Sequence, residues 1–176
     1  MPKNTLTNRR LTMTLNELLA TEPDGTLEEI ASQYDTSLLN VVKALPAAQR
    51  TLVSGERFDQ VWDAITGWGE VTLISHTADA ILEFKSELPS GAHRHGYFNL
   101  RGKNGLSGHI RAANCRDIAF IERKFMGMDT ASVVFFNAAG DAMFKIFLGR
   151  DSHRQLLTTQ VEAFHTLAVE LQAEQV

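Results

Sequence analysis

Between Leu88 and Ile110 the chain concentrates side chains able to bind metals and anions: His93, His95, His109, Arg94, Arg101, Lys103, Tyr97 and Phe98. Imidazole and phenolate ligate iron. Guanidinium and ammonium groups hold carboxylates. Aromatic and aliphatic side chains cover a flat apolar molecule. Together these are the parts a haem site needs, and they are also the parts of a solvated β-hairpin.

Alternation along an extended strand places His95, Tyr97, Asn99 and Arg101 on one face, with Gly96, Phe98, Leu100 and Gly102 on the other. The face given to His109 depends on the loop between the strands. A two-residue Asn104-Gly105 turn pairs Leu100 with His109 and sets the imidazole beside Phe98. A loop longer by one residue pairs Asn99 with His109 and sets it with Tyr97 and Arg101. Both registers remain open.

His76 ends another strand, on the face of Thr72 and Ile74, where a turn-bonded histidine is the plain reading from spacing. His93 and His95 form an H-x-H pair without a cysteine or third ligand nearby, which argues against a dedicated zinc site. His153 is expected at the surface and His165 within a structural helix. Arg123 and Lys124 are able to hold propionates, or else mark a solvated strand end. Met126 and Met128 are placed to cover a macrocycle or to fill core. No dinucleotide fingerprint, P-loop, H-E-x-x-H or G-x-S-x-G pattern occurs.

The elements that position these residues follow an ordered pattern. The polar segment 1–12 is expected to fray. Leu15, Leu18 and Leu19 start a helix. Thr26-Leu27-Glu28-Glu29 reads as a capping box before a second, and Leu38 to Leu45 forms a third that Pro46 ends. A helix over Arg57–Thr66 stops at Gly67-Trp68-Gly69. Strands follow at Val71–His76, Ala80–Lys85, Gly96–Gly102, Leu106–Arg111, Ile118–Phe125, Ser132–Phe136 and Ala142–Leu148. A last helix is capped by Ser152-His153-Arg154-Gln155 and carries the stripe Leu157, Val161, Phe164, Ala168 and Leu171. This order predicts an α+β fold of about seven to nine strands, with N-terminal helices, a large antiparallel β-sheet and a C-terminal helix. Residues 1–68 form a helical part and 69–176 the sheet with its helix, in one compact domain.

The formal net charge is −4, and Lys43 is the one cation on the helix that would have to read DNA, so a nucleic-acid partner is not expected. One cysteine, Cys115, leaves no internal disulfide, and no apolar run long enough for a signal peptide or membrane span is present. These point to a cytoplasmic protein.

Several strings together resemble the cytosolic haem-utilisation carrier family of Gram-negative bacteria, the ChuX/HutX type related to the haem-degrading HemS-like proteins. They are Glu22 to Leu27, His76-Thr77-Ala78-Asp79, Ser90-Gly91 with His93 to Gly102, Ser107 to Ile110, Glu122 to Ser132 and Met143 to Asp151. The resemblance runs from about Leu15 to Leu171. It implies a large antiparallel sheet flanked by helices, haem as ligand, and a homodimer resembling the two halves of the larger relatives. It also implies that His76 and His109 are the haem residues, with Tyr97 a weaker candidate.

Two functions follow from different classes. One is a non-enzymatic carrier that passes haem to a downstream haem-degrading enzyme. The other is an enzyme that opens the macrocycle with external reductant. A third, a haem-responsive regulator using the N-terminal helices, is disfavoured by the net charge. The absence of flavin and nicotinamide motifs favours the carrier. One haem per chain is expected in a cleft bounded by the strands of His76 and His109. Phe98 or Leu100 should give apolar contact, and Arg101, Lys103, Arg111, Arg123 or Lys124 should lie at the mouth.

Overall fold

The computed structural model describes residues 13–103 and 105–175. The segment 1–12, expected to fray, and Asn104 of the expected turn lie outside them.

Three short helices open the fold: α1 (Leu15–Ala20), α2 (Leu27–Gln33) and α3 (Leu38–Ala44). The Thr26/Glu29 capping box forms as expected, and Thr14/Glu17 builds a second one. Then come β1 (Arg50–Ser54), α4 (Phe58–Thr66), β2 (Glu70–His76) and β3 (Ile81–Glu87). They are followed by β4 (Gly91–Arg94), β5 (Tyr97–Leu100), β6 (Gly108–Ile110), β7 (Asp117–Phe125), β8 (Met128–Phe136), β9 (Ala142–Phe147) and α5 (Thr158–Ala173).

The strands form two antiparallel sheets. The larger has the order β1-β7-β8-β9-β2-β3, and the smaller β4-β5-β6. The α+β expectation holds, with no parallel pairing among the described strands. Two strands escaped sequence reading, β1 and β4; both are short and lack clear alternation. The C-terminal helix also starts later than expected. Residues 152–155 stay outside it, Leu157 is its N-cap, and no side chain caps it.

The larger sheet separates two hydrophobic clusters. One face carries Val71, Ile118, Phe120, Val133, Phe135, Phe144 and Ile146, which pack with α4, α5 and Phe98 of the small sheet. Here Phe58, Trp62, Phe98, Phe135 and Phe144 form a network of ring contacts with centroids 4.6–6.4 Å apart. Each such pair adds about 0.5–1.5 kcal/mol to the burial of its area. The Phe98 ring lies so close to Gly91 that a Cβ there would meet it at 2.3 Å, so this approach requires glycine.

On the other face, α1–α3 cover Ala119, Ile121, Val134 and Phe136, which belong to β7 and β8. A six-stranded sheet is about 24 Å wide at the usual strand spacing. The helix bundle therefore leaves the β9-β2-β3 side of that face open. The three N-terminal helices thus form a layer packed on the sheet.

Candidate functional site

The uncovered part of the sheet face is the floor of a cavity of about 510 Å³, within the roughly 300–1,000 Å³ range of small-molecule and cofactor sites. Strand register sets the floor. Ser132 opposes Phe147, which opposes Thr72, which opposes Lys85. In the next row Val134, Lys145, Ile74 and Glu83 follow one another, and His76 pairs with Ile81 beyond them. Because side chains alternate across a strand, Val71 and Leu73 enter the core while Thr72, Ile74 and His76 face the cavity. The wall opposite is the start of α2, with Thr26, Leu27 and Glu28.

Polar groups converge in this apolar setting. His76 Nδ1 lies 3.3 Å from Glu28 Oε1, with the histidine side chain 23% exposed. The same Glu28 oxygen is in contact with the Lys145 ammonium. Burial pushes the Lys145 pKa down to about 8, since a desolvated ammonium favours its neutral form. Arg123 donates to the Gly25 carbonyl at 2.8 Å and the Pro23 carbonyl at 2.7 Å, so it fastens the turn before α2 to the sheet. Asp24 completes that fastening by accepting from the Met126 N–H at 2.8 Å, a bond that lowers its pKa. Arg150, also at the cavity, donates to the Asp129 and Arg154 carbonyls. A guanidinium has five N–H groups, so both arginines keep donors for a ligand carboxylate.

His109 belongs to a different surface. The observed register pairs Asn99 with His109 and Phe98 with Ile110. β5 and β6 end their pairing at Leu100 and Gly108, so they are not joined by a two-residue turn. The two-residue turn of this sheet is instead His95-Gly96, both with positive φ. His109 therefore shares the outer face with Tyr97, as one of the two registers required. Its Nδ1 lies 2.5 Å from Asn99 Oδ1, and its ring is 5.8 Å from that of Tyr97. Arg111 donates to the Tyr97 hydroxyl at 2.6 Å, with its guanidinium 4.4 Å from the ring centroid.

The other expected site residues divide accordingly. Arg123 joins His76 in the cavity. Phe98 is 3% exposed and points into the core, away from His109. Arg101 and Lys103 are exposed in the 101–107 connection, and Lys124 is exposed on β7 next to Arg123 but on the opposite face. The expectation of one cleft bordered by both histidine strands is corrected within a single chain. The larger sheet and its core lie between the two imidazoles, because Phe98 turns the small sheet inward and leaves His109 outward.

His93 contacts both Asp59 oxygens at 2.8 Å, and His165 contacts Glu122 at 2.8 Å; both are half exposed and hydrogen-bonded to a carboxylate. No metal-binding cluster of three or more His, Cys, Asp or Glu occurs among the described residues. No described helix is long and apolar enough to cross a membrane. Glu28, Lys145 and Arg150 were missed as site residues from sequence. A signal existed for Lys145, a lone cation within the strand Met143-Phe144-Lys145-Ile146-Phe147, whose other face is core.

Residues 51–167 match the model of the haem utilisation ChuX/HutX family. The chain is 34% identical over 152 residues to the intracellular heme transport protein HutX of Vibrio cholerae, covering 86% of this chain and 79% of that one. A solved protein from Erwinia carotovora is 81% identical, with a TM-score of 0.89 over 91% of this chain and 99% of that one. The heme binding protein ChuX is 65% identical, with a TM-score of 0.85 over 90% and 99%. The heme-binding protein PhuS of Pseudomonas aeruginosa shares the fold at 10% identity and a TM-score of 0.73; the match spans 86% of this chain but 45% of PhuS. By the family model and these identities alike, the chain belongs to the ChuX/HutX haem utilisation family.

Proposed function

We propose that this protein binds haem in the His76 cavity and carries it through the cytoplasm as a homodimer, delivering it to a downstream haem-degrading enzyme. The observation that carries this reading is the cavity: apolar walls from Ile74, Phe147 and Met128, one half-buried imidazole, and cations at Lys145, Arg123 and Arg150. Neutral imidazole is a common haem ligand, and fixed cations pair with propionates. Haem is here cargo, so an open cavity suits release as well as capture.

Support for a homodimer comes from the exposed edge strand β3. Ile81 is 57%, Leu82 65% and Phe84 40% exposed, beside the cavity rim. An unpaired apolar edge is a liability that a second copy removes. PhuS, of which this chain spans under half, points the same way, because two copies would match its length. In such a dimer His109 reaches the ligand from the partner chain, which reconciles two candidate histidines with their separation inside one chain.

The test is an absorption titration of the purified protein with haemin, followed by reductant under air. A saturable Soret band at one haem per chain that survives reductant supports the carrier. Loss of the band with a tetrapyrrole product replaces the carrier with the degrading enzyme. No saturable band refutes both. Sedimentation at micromolar concentration that finds only monomer, with and without haemin, refutes the dimer.

A further inference from the structure

We infer that Glu28 is the positioning residue for His76: reaching from the first turn of α2 across the cavity, its carboxylate holds Nδ1 of the imidazole and so directs Nε2 toward the ligand. The inference rests on the proposed role of the cavity, and its first test does not need haem.

Three observations carry it. Glu28 Oε1 lies 3.3 Å from His76 Nδ1, and no hydrogen bond to His76 Nε2 occurs among the described residues. The two atoms lie at ion-pair distance; an ionised carboxylate only accepts, so a hydrogen bond between them has one polarity, Nδ1–H toward oxygen, and in the neutral imidazole that puts the lone pair on Nε2. The same oxygen contacts the Lys145 ammonium, whose side chain is 12% exposed. Lys145 lies one row along the floor from His76, on the neighbouring strand, with its backbone paired to Ile74. The carboxylate is therefore held by a rigid sheet position at one end and by the capped start of a helix at the other. A ligating histidine whose second nitrogen donates to a carboxylate is fixed in tautomer and ring orientation and becomes a stronger donor to the metal. Removing such a partner typically costs about 10–100-fold in affinity.

Glu28 also joins the helical layer to β9 and β2, through Lys145 and His76. It ties the helical layer to the floor where the cavity opens, so ring orientation depends on the helices being docked. His109 has a neutral amide, Asn99, in the equivalent place, and a neutral acceptor raises donor strength less than a carboxylate does.

The experiment compares Glu28→Gln, Glu28→Leu and the double variant Glu28→Leu with Lys145→Met. The double variant removes the buried ammonium that the single change would leave unpaired. Long-range proton–nitrogen correlation of the apoprotein, with the His76 signals identified by their loss in His76→Ala, reads the tautomer directly. The expected result is Nδ1 protonation in the wild type, retained in Glu28→Gln, whose amide oxygen still accepts, and lost in both Leu variants. In the ferrous haem complex the iron–histidine stretching frequency should fall from wild type to Glu28→Gln and further in the double variant. Haem affinity should drop about tenfold or more. An unchanged tautomer and an unchanged stretching frequency in the double variant would overturn the inference and leave Glu28 a structural clamp. A His76→Ala protein that keeps the wild-type stretching band instead refutes ligation by His76, whatever the tautomer shows.

Discussion

The cavity around His76 and the outer face around His109 are made from similar parts under different physical conditions. Each has an imidazole, an oxygen acceptor at its Nδ1 and a nearby cation. In the cavity the acceptor is a carboxylate, the cation is desolvated and the walls are apolar. On the small sheet the acceptor is an amide, and His109 and Arg111 are exposed to solvent. Water screens charge on that face, so its contacts add little affinity by themselves. The same chemical alphabet therefore builds a dry, apolar-walled cavity in one place and a solvated surface in the other.

The sharpest separation of the two regions comes from Phe98, which belongs by sequence to the His109 strand and by packing to the core. Phe98→Ala should cost about 3–5 kcal/mol of unfolding free energy, because the ring contacts Phe58 and Trp62 and is 3% exposed. Chemical denaturation measures this. The haem spectrum of the protein that remains folded should keep its Soret maximum. A stable variant with a shifted Soret band would instead make Phe98 a haem contact and join the two regions.

Next in size is the contrast between the histidines themselves. His76→Ala should weaken haem binding by at least tenfold, about 1.4 kcal/mol, and shift the Soret maximum. His109→Ala should weaken it less, since its side chain is reached only from outside. Haemin titrations of both variants decide the order, and an inverted order would transfer the site to the small sheet and Tyr97. Mixed dimers sharpen the point further. One chain carrying His76→Ala and the other His109→Ala should form one site of wild-type composition per dimer if the histidines act across the interface. If each chain serves itself, both sites stay impaired.

Much of the fold was legible in local pattern, and the site was legible in part. The capping box at Thr26, the stop at Gly67 and the alternation of β2 and β9 are rules of neighbouring residues, which is why the helices and most strands were visible in the chain. What local pattern cannot carry is the side on which a strand lies. The family resemblance points to His109 as a haem residue and the shared hairpin points to Phe98 as its apolar contact, yet the fit of Phe98 over Gly91 turns Phe98 inward and leaves His109 outward. Glu28 and Lys145 were invisible for the same reason: 117 residues separate them in the chain, and their contact exists only once a helix has docked on a sheet. The family resemblance named His76 but offered no partner for it.

The smallest effect is a pH dependence confined to the cavity. Burial lowers the Lys145 pKa from 10.5 to about 8. Below about pH 8 the native and unfolded chains both carry the proton, and the cost of burying an ammonium is fully present. Between about pH 8 and 10.5 the unfolded chain binds a proton that the native one has lost, so stability gains a contribution that rises with pH. A shift from 10.5 to about 8 corresponds to a rise on the order of 3 kcal/mol at most, and contact with the Glu28 carboxylate, which favours the charged ammonium, works against the shift and makes the rise smaller. Denaturation of wild type and Lys145→Met between pH 7 and 10 isolates it, since every other lysine cancels in the difference. The gap between the two proteins should change in favour of wild type as pH rises. Arg111→Met, made on the outer face, should run parallel to wild type throughout. Parallel curves for Lys145→Met as well would mean that its ammonium is solvated, and the contrast between a dry cavity and a wet face would lose its electrostatic basis.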